Sequence, residues 1–153
     1  MSPLAIALLL FAPSDRTVVN EHYNVRIEAP VGWTVQKLVA YPSVVAVMAH
    51  RDGGRMTLSA ERARSAETAQ TLAERNRAAM EKKGMKVTHL SPLPGNEAVE
   101  LEATTAKGDL AMVQVYFVRG LWGFSLTLAA PPSKIAQYTH DLDVAWRTVG
   151  PLK

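Results

Sequence analysis

Between Leu110 and Ala129 two apolar-rich runs flank Arg119-Gly120, and in the second large apolar side chains alternate with small or polar ones. Val113, Val115 and Phe117 come before the pair and Trp122, Phe124 and Leu126 after it, with Gly123, Ser125 and Thr127 in the intervening places of the second half. A period of two marks a strand and a glycine between two such runs marks a turn, so the stretch predicts one long β-hairpin. Centring the turn on Arg119-Gly120 sets Phe117 opposite Trp122, Val115 opposite Phe124 and Val113 opposite Leu126, all on one face. A slip of one residue would scatter them over both faces. Arg119 is a mediocre first turn residue, since tight hairpin turns favour Asn, Asp or Gly there, so a longer loop with the same pairing also fits.

The same pattern recurs upstream. Tyr23, Val25 and Ile27 alternate with Asn24, Arg26 and Glu28, and Pro30-Val31-Gly32 then turns the chain so that Trp33 comes back onto the core as a packing anchor. Tyr41-Pro42-Ser43 interrupts, and Val44 to Ala49 is continuously apolar, as in a strand covered on both faces. A turn on Asp52-Gly53 pairs Ala49 with Met56, Val47 with Leu58 and Val45 with Ala60. From Ser65 to Lys83 the period lengthens to that of a helix, with Ala69, Leu72, Ala73, Asn76, Ala79 and Met80 on one stripe. Ser65 is its N-cap, Glu67 lies in its first turn and Gly84 closes it. Lys86 to Leu93 and Ala98 to Thr104 read as two further strands, the second with Val99, Leu101 and Ala103 inward and Glu100 and Glu102 toward water. After Pro131-Pro132-Ser133 comes the strongest amphipathic stripe: Ile135, Tyr138, Leu142, Ala145, Trp146 and Val149, stopped by Gly150-Pro151.

Composition narrows the picture. The chain has 153 residues, close to half of them apolar, which suits a single folded domain over residues 16–153. Net charge is +3, too small an excess to call for a nucleic-acid partner. The absence of cysteine removes disulfides, thiolate metal sites and a cysteine nucleophile together. Residues 1–15 form an apolar leader: the run from Pro3 to Ala12 has the length of a signal-peptide hydrophobic region and about half of the ~20 residues a membrane span needs. No Lys or Arg precedes it, and Leu10 stands where a small residue is expected before Ala12. A truncated signal peptide and a short hydrophobic element packed on the domain both fit. The expectation is a periplasmic or secreted protein, with the cytoplasm as the alternative and no transmembrane span.

Taken in order, a Tyr-x-Val-x-Ile strand at Tyr23, the Pro-x-Gly-Trp turn at Pro30, an Ala-rich central helix, a hairpin ending in Trp122-Gly123-Phe124-Ser125-Leu126-Thr127-Leu128, and a final helix with Tyr138, Asp141-Leu142 and Trp146 resemble the PsbP-like group. That group takes in bacterial DcrB-like proteins and a eukaryotic release factor acting on the Ran GTPase. The resemblance covers roughly residues 20–150 and rests on core positions. It implies an α+β fold in which an antiparallel β-sheet is packed between helices, a three-layer α/β/α sandwich. It also implies an accessory, partner-binding role, often outside the cytoplasm. No functional residue carries over, and the cysteine that anchors lipidated members is missing.

The residues give chemistry little to work with. His22, His50, His89 and His140 fall in four elements without metal-ligand spacing. Asp141 and Asp143 diverge by about 200° on a helix and suit a solvated face. Glu100 and Glu102 share a strand face and can pair with Glu97 or Asp109 nearby, but an exposed acidic face explains them better than a glycosidase-like carboxylate pair. Ser125 lacks a nucleophile elbow, and Gly53-Gly54 lacks a phosphate loop. Arg51, Arg55, Arg62, Arg64, Arg75, Arg77, Lys82, Lys83 and Lys86 are interleaved with Asp52, Glu61, Glu67, Glu74 and Glu81, as on a solvated surface. The expectation is therefore a non-enzymatic accessory module that binds a protein partner, with no catalytic, cofactor or metal residues to name. A secretion or assembly chaperone that shelters hydrophobic client segments is the alternative, and a hydrolase with an unrecognised acidic site is third.

Overall fold

A computed structural model describes residues 15–37, 43–95 and 97–152. Most of the apolar leader, and Tyr41-Pro42 and Asn96, lie outside the described residues. Seven strands form one antiparallel sheet in the order β3-β4-β5-β9-β8-β7-β6. These are β3 (Trp33–Val35), β4 (Val44–His50), β5 (Arg55–Arg62), β6 (Lys86–Pro92), β7 (Ala98–Thr104), β8 (Ala111–Arg119) and β9 (Trp122–Ala130). A separate hairpin of β1 (Thr17–Asn20) and β2 (Val25–Glu28) precedes them. Helix α1 (Ala69–Lys82) rests on β6, β7 and β8, and helix α2 (Ile135–Thr148) rests on β8, β9 and β2. The result is the antiparallel sheet that the hairpin patterns predict, in the three-layer sandwich that the resemblance implies.

The two faces carry different cores. On the α2 face Phe117, Val115 and Val113 join Phe124, Leu126, Leu128, Met56, Leu58, Met48, Tyr138 and Leu142, with Val25 and Ile27 from the small hairpin. On the α1 face Leu72 and Ala73 pack on Val99, Leu101, Ala103 and Tyr116. Gly123 on β9 makes room for Leu72 of α1: a Cβ there would stand 3.0 Å from Leu72 Cδ2. Ala79 lies on the exposed side of this helix, off the stripe assigned to it.

Both hairpins keep their strands but correct the pairing. In β8–β9 the register is Arg119↔Trp122, Phe117↔Phe124, Val115↔Leu126 and Val113↔Leu128. The turn residues are thus Gly120 and Leu121, not Arg119 and Gly120. Gly120 takes φ +58 at the first central position, where a II′ turn wants glycine, so moving the turn by one residue spares Arg119 that role. Because the pairing shifts by two, the faces survive. In β4–β5 the shift is one and the face of β4 changes: Met48 pairs with Met56 and Ala46 with Leu58. The cause is a three-residue loop. His50 N–H donates to Gly54 O at 2.8 Å and Gly53, at φ +104, donates back to His50 O at 3.0 Å. A bulge between Val44 and Ala46 then brings Val45 into the same cluster.

The remaining differences are local. Helix α1 is capped by Thr68 instead of Ser65, through a capping box with Thr71, and Glu67 precedes the helix instead of occupying its first turn. At its other end the Gly84 N–H reaches Glu81 O and the Met85 N–H reaches Met80 O, the paired bonds of a Schellman close, with Gly84 at φ +81. Trp33 is 3% exposed and its indole N–H donates to Asp141 Oδ2 at 2.9 Å. Asp141 is therefore a partner of the core and not part of a purely solvated face.

Candidate functional site

The histidines stay apart. His22 lies in the β1–β2 turn, His50 ends β4 against the rings of Trp33 and Tyr138, His89 is exposed on β6 beside Ser91, and His140 is exposed on α2. No group of three or more metal-ligating side chains forms among the described residues. Ser125 sits within β9, opposite Ser59 and Tyr116 in the sheet register, on the face that carries α1. Gly53-Gly54 serves packing: a Cβ on Gly54 would meet Trp33 and Tyr138 at 2.9 Å.

The acidic pair does enter a pocket. Glu100 and Glu102 project from β7 on the α2 face, at the edge that α2 leaves uncovered, and share a pocket of about 260 Å³ with Asp143, Thr139, Leu142 and Trp146. Both carboxylates are partly buried, so the face does not simply meet water. Burial, then the charge of Glu102, raise the proton affinity of Glu100 above the usual carboxylate range. Asp143 adds to the effect and His89 opposes it. This arrangement can hold a proton or attract a cation. It brings no histidine into the pocket and places Thr139 as its hydroxyl.

The basic stretch is partly neutralised. Arg75 reaches Glu61 and Glu67, each at 2.9 Å, and Arg77 pairs with Glu81 at 2.9 Å. The Glu67 side chain is only 3% exposed. Burial opposes its ionisation, but the Arg64 N–H and the Arg75 guanidinium overcome that and hold its carboxyl below the usual range. The Arg75–Glu61 pair fastens α1 to the end of β5, Arg75–Glu67 ties the helix to the loop before it, and Arg77–Glu81 lies within the helix, all structural uses of the charges.

The end of the sheet where β8 turns into β9 offers a different chemistry. Trp122 packs edge-on to Tyr23 with ring centroids 4.7 Å apart and lies 5.3 Å from the His22 ring, while the Arg62 guanidinium stands 5.6 Å from the Trp122 centroid. Leu121, at the tip of the turn, is 59% exposed. Its carbonyl accepts the Ala63 N–H at 2.9 Å, so the tip is tied to the strand beside it. The β1–β2 turn, β5 and the β8–β9 hairpin thus place Trp, Tyr, His, Arg and an exposed Leu on one edge. Trp and Tyr were visible in the sequence as core candidates, but their grouping with His22 and Arg62 depends on register and on the packing of the small hairpin.

No protein-family model and no curated protein matches the chain. Solved structures do. The cyanobacterial PsbP of Synechocystis superposes with a TM-score of 0.67 at 10% identity, over 92% of this chain and 95% of that one. LpqN of Mycobacterium tuberculosis gives 0.59 at 11% identity over 82% and 81%. The Pseudomonas aeruginosa protein of unknown function PA94 gives 0.58 at 18% over 89% and 96%. At these identities the likeness is one of fold, and the fold is PsbP-like. Among the described residues no helix is long and apolar enough to cross a membrane.

Proposed function

We propose that the protein is a non-catalytic accessory module that docks a protein partner outside the cytoplasm. The observation that carries this is the packed cluster of Trp122, Tyr23, His22 and Arg62 beside exposed Leu121 at the β8–β9 end. Aromatic and arginine side chains dominate binding hot spots because they bury large, stiff surfaces at little entropic cost. The candidate catalytic groups give weaker support to the hydrolase reading: His22, His50 and His140 belong to other elements, and His89, which pairs with Glu102 across the sheet, does not line the acidic pocket. A chaperone would use a continuous apolar face. The exposed large apolar residues described here, Val19, Val31, Leu121 and Val144, sit instead on four separate elements, which favours docking.

The location rests on the apolar run from Pro3 to Ala12 and on LpqN, a structural neighbour involved in cell envelope biogenesis. A photo-crosslinking residue placed at Leu121 of the full chain in its native host should yield one discrete adduct, protected from external protease until the outer barrier is opened. The same residue at exposed Lys82 on α1 should not. Equal adducts from both positions, or none from Leu121, would rule out docking through this end. A cytosolic fractionation pattern would rule out export.

A further inference from the structure

From the geometry around Arg119 we infer that the same end of the sandwich holds a receptor for a carboxylate presented by a peptide. Strand β8 pairs with β7 only as far as Ala98↔Phe117, yet continues with β9 to Arg119↔Trp122. The overshoot leaves a notch beside Val118 and Arg119. Thr68 and Ala69, at the start of α1, wall it on one side and Trp146 of α2 with Pro151 on the other, enclosing about 590 Å³.

Arg119 lies at an inward position, continuing the row Val113, Val115, Phe117. Its guanidinium sits 5.2 Å from the Phe117 ring centroid. Nη2 makes a long 3.5 Å approach to Val149 O, and Nη1 is buried with no hydrogen-bond partner. A cationic donor closed off from water without an acceptor is costly, and nearly all such groups in folded proteins are satisfied. The planar fork of arginine matches a carboxylate, which takes two parallel N–H bonds. Turning the fork into the notch toward such an acceptor would satisfy the orphaned nitrogen.

The surroundings select among anions. Glu67 lines the cleft but is committed to Arg75 and to the Arg64 N–H at 2.9 Å. Glu97 lines it as well, and its negative charge disfavours a dianion such as a phosphate monoester more than a monoanion. Phe117, Val118, Trp146 and Ala69 give the cleft an apolar wall suited to the side chain next to that carboxylate. This inference rests on the docking reading for the origin of the peptide alone; the receptor itself can be probed with synthetic peptides.

The test titrates the full chain with three tetrapeptides: a free acid ending in Leu, its C-terminal amide, and an amide with one internal Asp. The indole resonances of Trp146 and Trp122 and the Arg119 Nε–H resonance provide the readout. Saturable shifts of Trp146 and Arg119 with a carboxylate peptide, at least tenfold weaker with the uncharged amide, are expected. The stronger of the two carboxylate peptides identifies the source as a chain end or an acidic side chain. Arg119→Gln should weaken binding at least tenfold, Arg119→Lys should recover only part of it, and Glu97→Gln should strengthen it. Equal binding of the uncharged amide, or full binding by a folded Arg119→Gln variant, would overturn the inference. Should that variant unfold, the comparison of acid and amide on the wild type decides alone. A missing adduct at Leu121 with positive titrations sinks the docking reading and leaves the receptor standing; the reverse result does the opposite.

Discussion

Gly54→Ala should be one of the most damaging single-methyl additions in the molecule, although the position lies in a turn. Gly54 has an ordinary φ, outside the left-handed region, so alanine meets no backbone penalty. The cost is steric. The new Cβ would lie 2.9 Å from Trp33 Cη2 and 2.9 Å from Tyr138 Cε2 and Cζ, whereas carbon contacts settle at about 3.5–4.0 Å. Neither ring has room to retreat: Trp33 is 3% and Tyr138 1% exposed, their centroids are 5.5 Å apart, and the indole is held by Asp141. Overpacking of this kind costs about 1–3 kcal/mol, and two clashing rings place it at about 2–3 kcal/mol. For a chain of this length that lowers the melting temperature by roughly 5–10 °C. Gly53→Ala is the internal control. Gly53 holds φ +104 with nothing near its missing Cβ, so only the backbone term of about 1 kcal/mol applies. Urea denaturation of the two variants separates steric from conformational cost. In a Trp33→Phe background, which lacks Cη2, the Gly54→Ala loss should shrink by at least about 0.5 kcal/mol. A Gly54→Ala loss smaller than that of Gly53→Ala would refute the packing of Trp33 and Tyr138 on this turn.

Other perturbations follow from the same contacts. Trp146→Ala should cost roughly 2–3 kcal/mol in a chemical melt, below the range for a fully buried tryptophan because the side chain is only partly covered; a loss under about 1 kcal/mol would contradict the seating of α2. Gly123→Ala should cost under about 1 kcal/mol, since the atom it meets is the flexible Leu72 Cδ2 at 3.0 Å, and a larger loss would mean the α1 face is more rigidly packed than its small residues suggest. Glu100 has a raised folded pKa, so its ionisation opposes folding: the penalty is absent below the unfolded carboxylate value and grows as pH rises through the folded one. Glu100→Gln should therefore stabilise the protein at pH 7, and the gain should vanish near pH 3; equal stability of both forms at pH 7 would contradict the burial and Glu102 repulsion assigned to this site.

How far the residues revealed the fold depended on what each inference needed. Alternation along Phe124–Leu128 is local, and pairing it with the apolar run Val113–Phe117 made both strands and their inward face legible even though the pairing moved by two. The β4–β5 pairing was less secure because it turns on loop length, and Gly53 at positive φ suits a two-residue turn as well as the three-residue loop that His50 and Gly54 close. In a continuously apolar strand like β4 no polar residue marks which face is wrong. Strand β1 went unseen because Thr17-Val18-Val19-Asn20 is short and has no clear alternation; its pairing with β2 defines it. Ser65 and Thr68 are both acceptable caps by type, and the capping box with Thr71 decides between them. Glu100 and Glu102 were legible as a pair, but the pocket they enter is completed by Leu142, Asp143 and Trp146, some forty residues away in the chain.

Arg119 did leave a trace: it is a charge at an inward position of the alternation, where a core strand should carry another Val or Phe. Why that charge is tolerated follows from the stagger of the helices. Helix α1 lies over β6 to β8 and α2 over β8, β9 and β2, so β8 is the strand on which both rest, and Val113 to Phe117 are buried throughout. Cover from both sides runs out near Ala69, the first residue of α1, and Trp146, in the last turn of α2, where β8 outruns β7. The next inward side chain therefore emerges into a notch bounded by helix ends instead of a packed core, and an arginine can occupy it with one nitrogen left over. Phe117→Leu should test this chain of dependence: by thinning the platform beneath the guanidinium it should weaken carboxylate binding while leaving the β8–β9 pairing intact, whereas unchanged affinity would show that the Phe117 ring does not set the position of Arg119.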